Sequence, residues 1–351
     1  MIRSLAPRLV AAGLLIVSAR LSAQSAIFLD RSYAVRMSPD RGLLYEAVPA
    51  FPLFLNNRTA GLYSSLLEPA PRWSTGSMLV FTPMFRIRQV EERESASQPV
   101  RMPSFMPKLT AQFLAARRIG GTVRRAAAET PLSAMIVGLD LSFGHYSNGQ
   151  AGCFRANQRQ KADGSGGCEV DATAGPGADT LNTVDGSFST WYFRGQTHLR
   201  FAHYRDSLPL VAFTLSGGAD WHPAFLEPIG GMDTALAAVY GRLRPFAGAE
   251  LMRQSEWPCA PTALLSWLPC GLGRVRASVN VEYIGTHPPR VSNVATTSEL
   301  AWTFRRYAGL GALVRLHTGQ DYYNMALGHE LNVFQYGVTF DLERFDPLRS
   351  R

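Results

Sequence analysis

The stretch Val137-Gly-Leu-Asp-Leu-Ser-Phe143-Gly-His145-Tyr-Ser147-Asn-Gly-Gln150 alternates between apolar residues and polar or small ones. From 137 to 143 the odd positions hold Val, Leu, Leu and Phe, whereas the even positions hold Gly, Asp and Ser. Successive side chains of a β-strand point to opposite faces, so this pattern predicts a strand with one apolar face. In a membrane-spanning barrel such a face contacts lipid. The same alternation places His145 and Ser147 on the apolar face, at the end of the strand.

Alternation of this kind recurs along the chain and predicts about twelve strands. They fall at 28–36, 44–55, 76–90, 105–118, 134–146, 188–204, 207–220, 239–252, 271–284, 296–306, 308–317 and 332–345. A mean hydropathy of −0.04 is too apolar for a disordered chain. After the N-terminal region no run of 18 or more apolar residues offers a spanning helix. We therefore predict an all-β fold, a transmembrane antiparallel β-barrel, with a periplasmic β-sandwich as the alternative.

The N-terminus has the features of a secretory signal peptide. Arg3 and Arg8 precede an apolar run from Leu9 to Val17, and small residues lead up to Ala23. A run of this length is too short to cross a membrane, which disfavours a membrane anchor. We predict a signal peptide at 1–23 and a single barrel domain at 24–351.

The lengths of the connections suggest how the barrel is oriented. The tightest predicted turns are Arg205-Asp206 and Tyr307-Ala308. Outer-membrane barrels have short periplasmic turns and longer outer loops. Placing both turns in the periplasm leaves the longer connections outside, at 91–104, 147–187, 221–238, 285–295 and 318–331. Two connections assigned to the periplasm, 119–133 and 253–270, are long for that side.

The distribution of charge along the chain argues against nucleic acid as a partner. Without the three arginines of the predicted signal peptide, the chain has 32 basic and 27 acidic residues, a surplus of 5. The basic residues are scattered, so no patch for nucleic acid is present. Scattered arginines suit a barrel interior or lipid headgroups.

The cysteines form two local pairs, Cys153 with Cys168 and Cys259 with Cys270. In an exported protein such pairs predict two disulfides. A zinc site is the alternative, but the chain lacks Cys-x-x-Cys spacing and a histidine near these pairs.

His145 and Ser147 are a candidate catalytic pair. Residues two apart on a strand share a face and lie about 6.6 Å apart at Cα, a gap that an imidazole can span to reach a hydroxyl. A histidine that accepts the serine proton makes the oxygen a nucleophile. The alternative is that both are ordinary polar residues at the rim of a barrel.

These residues resemble a family, the outer membrane phospholipases A, twelve-stranded barrels with a His-x-Ser-Asn-Gly motif on the outer face. His145-Tyr-Ser147-Asn-Gly149 matches that motif in full. Weaker similarity covers most of 76–345 and includes three further segments: Ser97-Gln-Pro-Val-Arg101 with Pro107, Ser187-Phe-Ser-Thr-Trp191-Tyr192, and Thr318 to Phe345 with its aromatic-ended last strand.

The resemblance implies roles for single residues. Ser147 would be the nucleophile, His145 the general base, and the amide of Gly149 an oxyanion donor. The family binds calcium near the serine. This implies Ca²⁺ ligands at the backbone carbonyl of Gln150, at Ser187, and at Ser97 of the partner subunit in a homodimer.

Two features depart from the family. An asparagine that orients the histidine falls at Trp191 in this chain, and an indole cannot accept a hydrogen bond from imidazole. The possible substitutes are Ser189, Asn157, Asn182 and Asp185. The second departure is the insertion between Gln150 and Ser187, which is either a lid over the site or an ordinary exposed loop.

The sequence thus predicts a calcium-dependent phospholipase of the cell outer membrane, with its site facing the outer leaflet. Its substrates would be membrane glycerophospholipids, hydrolysed at the sn-1 and sn-2 acyl esters as the resemblance implies. A non-catalytic porin-like or structural barrel is the alternative from another class. A lipid A deacylase is the nearer one, because smaller barrel deacylases also use a His-x-Ser pair.

Overall fold

The structure is a computed structural model. It describes residues 31–38, 43–55, 62–66, 72–89, 103–121, 132–150, 152–163, 168–171, 173, 182, 186–205, 208–232, 234–257, 271–285, 291–304, 310–320 and 330–340. The predicted signal peptide at 1–23 lies outside these residues, as do Cys259 and Cys270.

The described residues are mostly β-strands, joined by a few short helices. The strands are β1 (Ser32–Ser38), β2 (Leu43–Ala47), β3 (Phe51–Leu55), β4 (Ser74–Gln89), β5 (Ser104–Gly120), β6 (Leu132–Ser147), β7 (Gln158–Gln160), β8 (Cys168–Val170), β9 (Ser189–Arg205), β10 (Leu208–Trp221), β11 (Leu243–Trp257), β12 (Gly271–Tyr283), β13 (Val294–Phe304), β14 (Leu310–Gln320) and β15 (Glu330–Phe340). The helices are α1 (Leu62–Leu66), a 3₁₀ helix (Ala224–Ile229) and α2 (Thr234–Tyr240). None of these helices has the length and hydropathy needed to span a membrane.

The strands close into a ring. Neighbouring strands pair antiparallel from β4 through β15, leaving out the separate β7–β8 hairpin. β15 then pairs with β1, β1 with β2, and β2 with β4, which closes the sheet. β2 and β3 both pair with β4 and form one interrupted strand, the predicted strand 44–55. The interruption contains Pro49, which has no N–H for the ladder. The ring therefore has twelve strands, which confirms the predicted barrel and rejects the β-sandwich.

The wall has the predicted two faces. On β6, Leu141 is 50% exposed and points outward, whereas Asp140 is 7% exposed and points inward. Other strands likewise present large apolar residues outward, among them Phe213, Leu316 and Val338. An apolar belt of this extent is the lipid-facing surface of a transmembrane barrel.

Many inward-facing side chains are polar, and several interior arginines are paired with acids. Arg86 contacts Glu46, Arg194 contacts Asp220, and Arg315 contacts Glu299, all within the barrel. Some of the scattered arginines of the sequence are therefore arginines of the barrel interior.

Helices fill both ends of the interior. At the end opposite His145, Leu62 and Leu66 of α1 pack into a cluster of inward-facing apolar residues. At the end that carries His145, Leu236 and Tyr240 of α2 pack on Tyr146, Phe188 and Tyr192. A cavity of about 460 Å³ remains below α2 and is lined mainly by charged and polar side chains.

Three segments differ from the prediction. Residues 239 and 240 were predicted to begin a strand but end α2, and β11 runs from Leu243 to Trp257. A short apolar run fits a helix or a strand equally well, so alternation alone could not separate them. The helices α1 and Ala224–Ile229 were not predicted at all.

Strand direction confirms how the connections are divided between the two ends. The connections after β6, β10, β12 and β14 share one end with His145, and the two-residue link between β9 and β10 lies at the other. The long connections after β5 and β11 lie with that short link, as predicted.

Candidate active site

His145 and Ser147 lie at the C-terminal end of β6. Both are half-buried and lie on the outward face, in line with Leu141 and Phe143. Across the ladder, His145 pairs with Trp191 and Ser147 with Ser189, both on β9. The predicted placement of the pair on the apolar face is therefore confirmed.

Asn148 fixes the turn that follows Ser147. Its side chain is only 1% exposed and makes three hydrogen bonds. Nδ2 donates to the carbonyl of Gly186 at 2.8 Å, while Oδ1 accepts from the amides of Phe188 at 2.9 Å and Gln150 at 3.2 Å. Asn148 thereby ties the end of β6 to the start of β9.

Gly149 completes the turn and faces the serine. Its φ is 68°, in the left-handed region that favours glycine. Its amide donates to Ser147 Oγ at 3.3 Å. A backbone donor beside the nucleophilic oxygen is close to where negative charge develops on an attacked carbonyl.

His145 and Ser147 are close but are not hydrogen-bonded to each other in the described part of the chain. Ser147 Oγ accepts a hydrogen bond from the amide of Gly149 instead. His145 Nδ1 is buried and has no hydrogen-bond partner among the described residues. Catalytic hydrogen bonds often form only when substrate binds, so this geometry is compatible with a catalytic pair.

Two of the residues predicted to orient His145 in place of asparagine donate to backbone carbonyls. Ser189 Oγ donates to the carbonyl of Gly230, and Asn182 Nδ2 donates to that of Cys153. Asn157 Oδ1 is buried and has no partner among the described residues. Asp185 lies outside the described residues. The ring that contacts the imidazole is Trp191, with ring centroids 4.5 Å apart.

Two of the predicted calcium ligands, Gln150 and Ser187, lie in segments that are joined by the side chain of Asn148. The amide of Ser187 donates to the carbonyl of Gly152 at 2.8 Å, and Gly152 forms a bridge with Gly186. Gln150 is tied to the same turn through Asn148. Ser97 lies outside the described residues. Within the described ranges no three His, Cys, Asp or Glu side chains cluster as metal ligands.

The insertion after Gln150 contains the hairpin β7–β8. Cys153 and Cys168 are joined by a disulfide with an S–S distance of 2.03 Å, which confirms the first predicted pair. Phe154 packs against the apolar cluster around α2. This disulfide excludes zinc at Cys153 and Cys168.

A segment that sequence reasoning missed lies against the site. The carbonyl of Ile229 accepts a hydrogen bond from Trp191 Nε1 at 2.9 Å, and that of Gly230 accepts one from Ser189 Oγ at 2.9 Å. Phe225 and Ile229 of the same 3₁₀ helix are 65% and 64% exposed. Apolar residues within a predicted polar loop were the sequence signal that could have revealed this segment.

A second serine–histidine pair lies at the other end of β6. Ser133 Oγ and His203 Nδ1 are 3.1 Å apart on the outward face. Within the described residues no backbone amide donates to Ser133 Oγ, unlike Ser147 Oγ. This pair has the distance of a catalytic pair but lacks the adjacent oxyanion donor.

Comparison with known proteins gave solved structures only: no protein-family model and no curated protein matches the sequence. Similar structures include an active-site mutant of outer membrane phospholipase A from Escherichia coli at pH 6.1, with 11% identity, 94% of this chain and 98% of that chain covered, and a TM-score of 0.40. Another is outer membrane phospholipase A from Escherichia coli, with 10% identity, coverage of 91% and 95%, and a TM-score of 0.40. A third is the Salmonella typhi outer membrane phospholipase dimer with bound calcium, with 11% identity, coverage of 93% and 97%, and a TM-score of 0.39. The chain is thus similar to outer membrane phospholipase A, the family that its His145-to-Gly149 motif resembles.

Proposed function

We propose that this protein is an outer-membrane phospholipase that hydrolyses acyl esters of glycerophospholipids, with Ser147 as nucleophile and His145 as general base. One observation carries the proposal. The two side chains share the outward, apolar face of β6, and the Gly149 amide lies 3.3 Å from Ser147 Oγ.

The position of the pair suits a substrate held in a membrane. In a barrel, the outward residues Leu139, Leu141 and Phe143 face acyl chains, and the rim above them lies at the headgroup boundary. The ester bonds of a phospholipid lie at that boundary. A lipid can therefore present its ester to Ser147 without leaving the bilayer, and we place the site in the outer leaflet.

The reaction uses few groups. His145 takes the proton of Ser147 Oγ as the oxygen attacks the ester carbonyl carbon. The carbonyl oxygen gains negative charge, which the Gly149 amide stabilises. The C–O bond to the glycerol then breaks, and the lysophospholipid leaves with the proton from His145. Water, deprotonated by His145, attacks the acyl-enzyme and releases the fatty acid and free Ser147.

Calcium fits this proposal through neutral oxygen ligands. The carbonyl of Gln150 and the hydroxyl of Ser187 are oxygens of the kind that calcium prefers, and Asn148 bonds to both segments that carry them. Ser97 of the partner subunit is the third proposed ligand, so calcium binding and homodimer formation are linked. Bound calcium supplies positive charge that stabilises the oxyanion.

The apolar clusters at the two ends of the barrel argue against a porin. Leu62 and Leu66 at one end, and Leu236 and Tyr240 at the other, belong to buried apolar clusters rather than to an open channel. A diffusion pore requires a continuous polar path. The candidate catalytic pair therefore lies on the outward, apolar face of the barrel rather than in its interior.

Fatty-acid release by the refolded barrel tests the proposal. Mature protein is refolded in detergent, folding is checked by gel mobility, and release from phosphatidylcholine micelles is measured with calcium and with chelator. We expect release by the wild type in calcium, and its loss with chelator and in Ser147→Ala. Ser133→Ala is the matched control, since it removes an outward serine of the same strand that is paired with a histidine.

Each other outcome has a separate meaning. Equal inactivity of folded wild type and Ser147→Ala in calcium contradicts the enzyme. Loss in Ser133→Ala alone moves the site to the other end of β6. Release from lipid A but not from phospholipid selects a deacylase. Activity that persists in chelator contradicts the calcium requirement but does not contradict the His145–Ser147 pair.

A further inference from the structure

Trp191 is the residue that contacts the imidazole of His145. The two residues are paired in register across β6 and β9, and their rings are 4.5 Å apart with planes inclined by 49°. His145 Nδ1 is buried and has no hydrogen-bond partner among the described residues. The orientation of the imidazole is therefore set by ring packing, without a hydrogen bond to Nδ1 from the described part of the chain.

Trp191 is itself held from two sides. Its indole stacks on Phe143 with ring centroids 5.1 Å apart and planes inclined by 7°. Its Nε1 donates to the carbonyl of Ile229 at 2.9 Å. The neighbouring carbonyl, that of Gly230, is held by Ser189. The 3₁₀ segment thus fastens the indole in one place against the wall.

We infer that Trp191, fastened by Ile229 and Phe143, is the positioning residue for His145. The inference rests on the proposed function, because it assigns how the proposed general base is oriented. A hydrogen-bonding partner would fix both the tautomer and the ring plane of a histidine. Packing against a fixed indole restricts the ring plane through shape alone, as aromatic neighbours do in a packed core.

This role predicts how substitutions divide between kcat and KM. Trp191 acts through His145, so its loss lowers the rate of proton transfer rather than lipid binding. General-base catalysis contributes about 10²–10⁴-fold to rate, so loss of positioning is expected to lower kcat by about tenfold or more. Phenylalanine keeps an aromatic ring that can stack on Phe143 but lacks the Nε1 donor, and is expected to retain more of kcat than alanine does.

The test compares Trp191→Ala and Trp191→Phe in the refolded barrel, with Trp221→Ala as control. Trp221 is an exposed tryptophan near the same rim, and its ring contacts are with Phe193 and Phe225 rather than with His145. We expect Trp191→Ala to lower kcat with little change in KM, the Phe variant to fall between Trp191→Ala and the wild type, and the control to stay near the wild type.

A second readout does not depend on activity. Diethylpyrocarbonate modifies a neutral imidazole when a ring nitrogen attacks one carbonyl carbon, the C–O bond of the anhydride breaks, and ethyl carbonate leaves. Mass spectrometry gives the rate at each histidine. We expect the rate at His145 to rise severalfold in Trp191→Ala but not in Trp191→Phe. His203, at the far end of the same strand pair, is the internal standard.

The results separate the two hypotheses. Faster modification of His145 in Trp191→Ala supports the packing even if the folded wild type releases no fatty acid, in which case the phospholipase proposal alone fails. Unchanged modification in Trp191→Ala overturns the inference. So does an active wild type whose kcat is unaffected by that substitution. A Trp191→Asn chain more active than the wild type also overturns it, because the site would then lack an acceptor rather than depend on packing.

Discussion

Replacing Asn148 by alanine is expected to disable the candidate site without unfolding the barrel. Asn148 is buried, and its side chain joins the end of β6 to the start of β9 by three hydrogen bonds. The substitution leaves the amides of Gln150 and Phe188 and the carbonyl of Gly186 without these partners. Those groups belong to the turn that holds the Gly149 amide beside Ser147.

The magnitude follows from the bonds that are lost. A typical protein hydrogen bond contributes about 1 kcal/mol net, so three give about 3 kcal/mol. The turn is at the rim, where water can replace part of this, and we expect a loss of about 1–3 kcal/mol in the free energy of unfolding. Catalysis is more sensitive, because a misplacement of about 1 Å can cost about 10²-fold in rate.

Two measurements on the refolded barrel check this prediction. Denaturant unfolding followed by tryptophan fluorescence gives stability, and fatty-acid release from phosphatidylcholine micelles gives activity. Asn280→Ala, at an exposed asparagine of β12, is the control and is expected to change neither. Asn148→Asp retains the acceptor oxygens but not the Nδ2 donor, and is expected to fall between wild type and Asn148→Ala. An Asn148→Ala chain with wild-type activity and stability would refute the reasoning.

Two further predictions concern stability. Replacing both Cys153 and Cys168 by serine opens a loop of 15 residues and should lower the free energy of unfolding by about 3 kcal/mol, seen as a lower denaturant midpoint; an unchanged midpoint contradicts it. Arg244→Met removes the partner of Glu282 and a bond to the last residue of α2, the Tyr240 carbonyl, and should cost up to about 3 kcal/mol, since Glu282 is partly exposed. An unchanged denaturant midpoint in Arg244→Met would contradict this, and stable pores formed by the wild type in planar bilayers would contradict barrel ends that are closed by apolar clusters.

The barrel was predictable because each strand carries its own two-residue period. On β6 the alternation from Val137 to Phe143 gives the strand and its outward face at once. The same period fixed the ring size, since the interrupted strand at 44–55 still reads as one alternating segment. α1 and α2 were not predictable in this way. Each is short, and its helical form depends on packing inside the barrel, so local sequence carries little of that information.

The residues of the candidate site could be predicted only where they are close together in the sequence. His145, Ser147 and Gly149 are close in sequence, and the strand period places the first two on one face. The contacts of Trp191 with His145 and Ile229 join strands and a loop that are distant in sequence. Spacing within the chain gives no information about such contacts. Ser189 was a reasonable substitute for the missing asparagine, but its hydroxyl donates a hydrogen bond to the carbonyl of Gly230.

The histidines show why the pair at the end of β6 differs from others in the barrel. The remaining histidines of the described residues each bond to a side chain on an adjacent strand: His198 to Asp140, His203 to Ser133, His222 to Thr190 and His317 to Thr297. A hydrogen bond between a ring nitrogen and a cross-strand hydroxyl or carboxylate stabilises the pairing of the strands. His145 has a tryptophan opposite it instead, and its serine lies two residues along the same strand. Within the described residues its ring nitrogens join no strands, and the one partner of Ser147 Oγ there is a backbone amide, which leaves the hydroxyl proton free. We therefore expect the proposed base and nucleophile to be available for reaction, since, among the described histidines, only His145 is not bonded to a side chain of an adjacent strand.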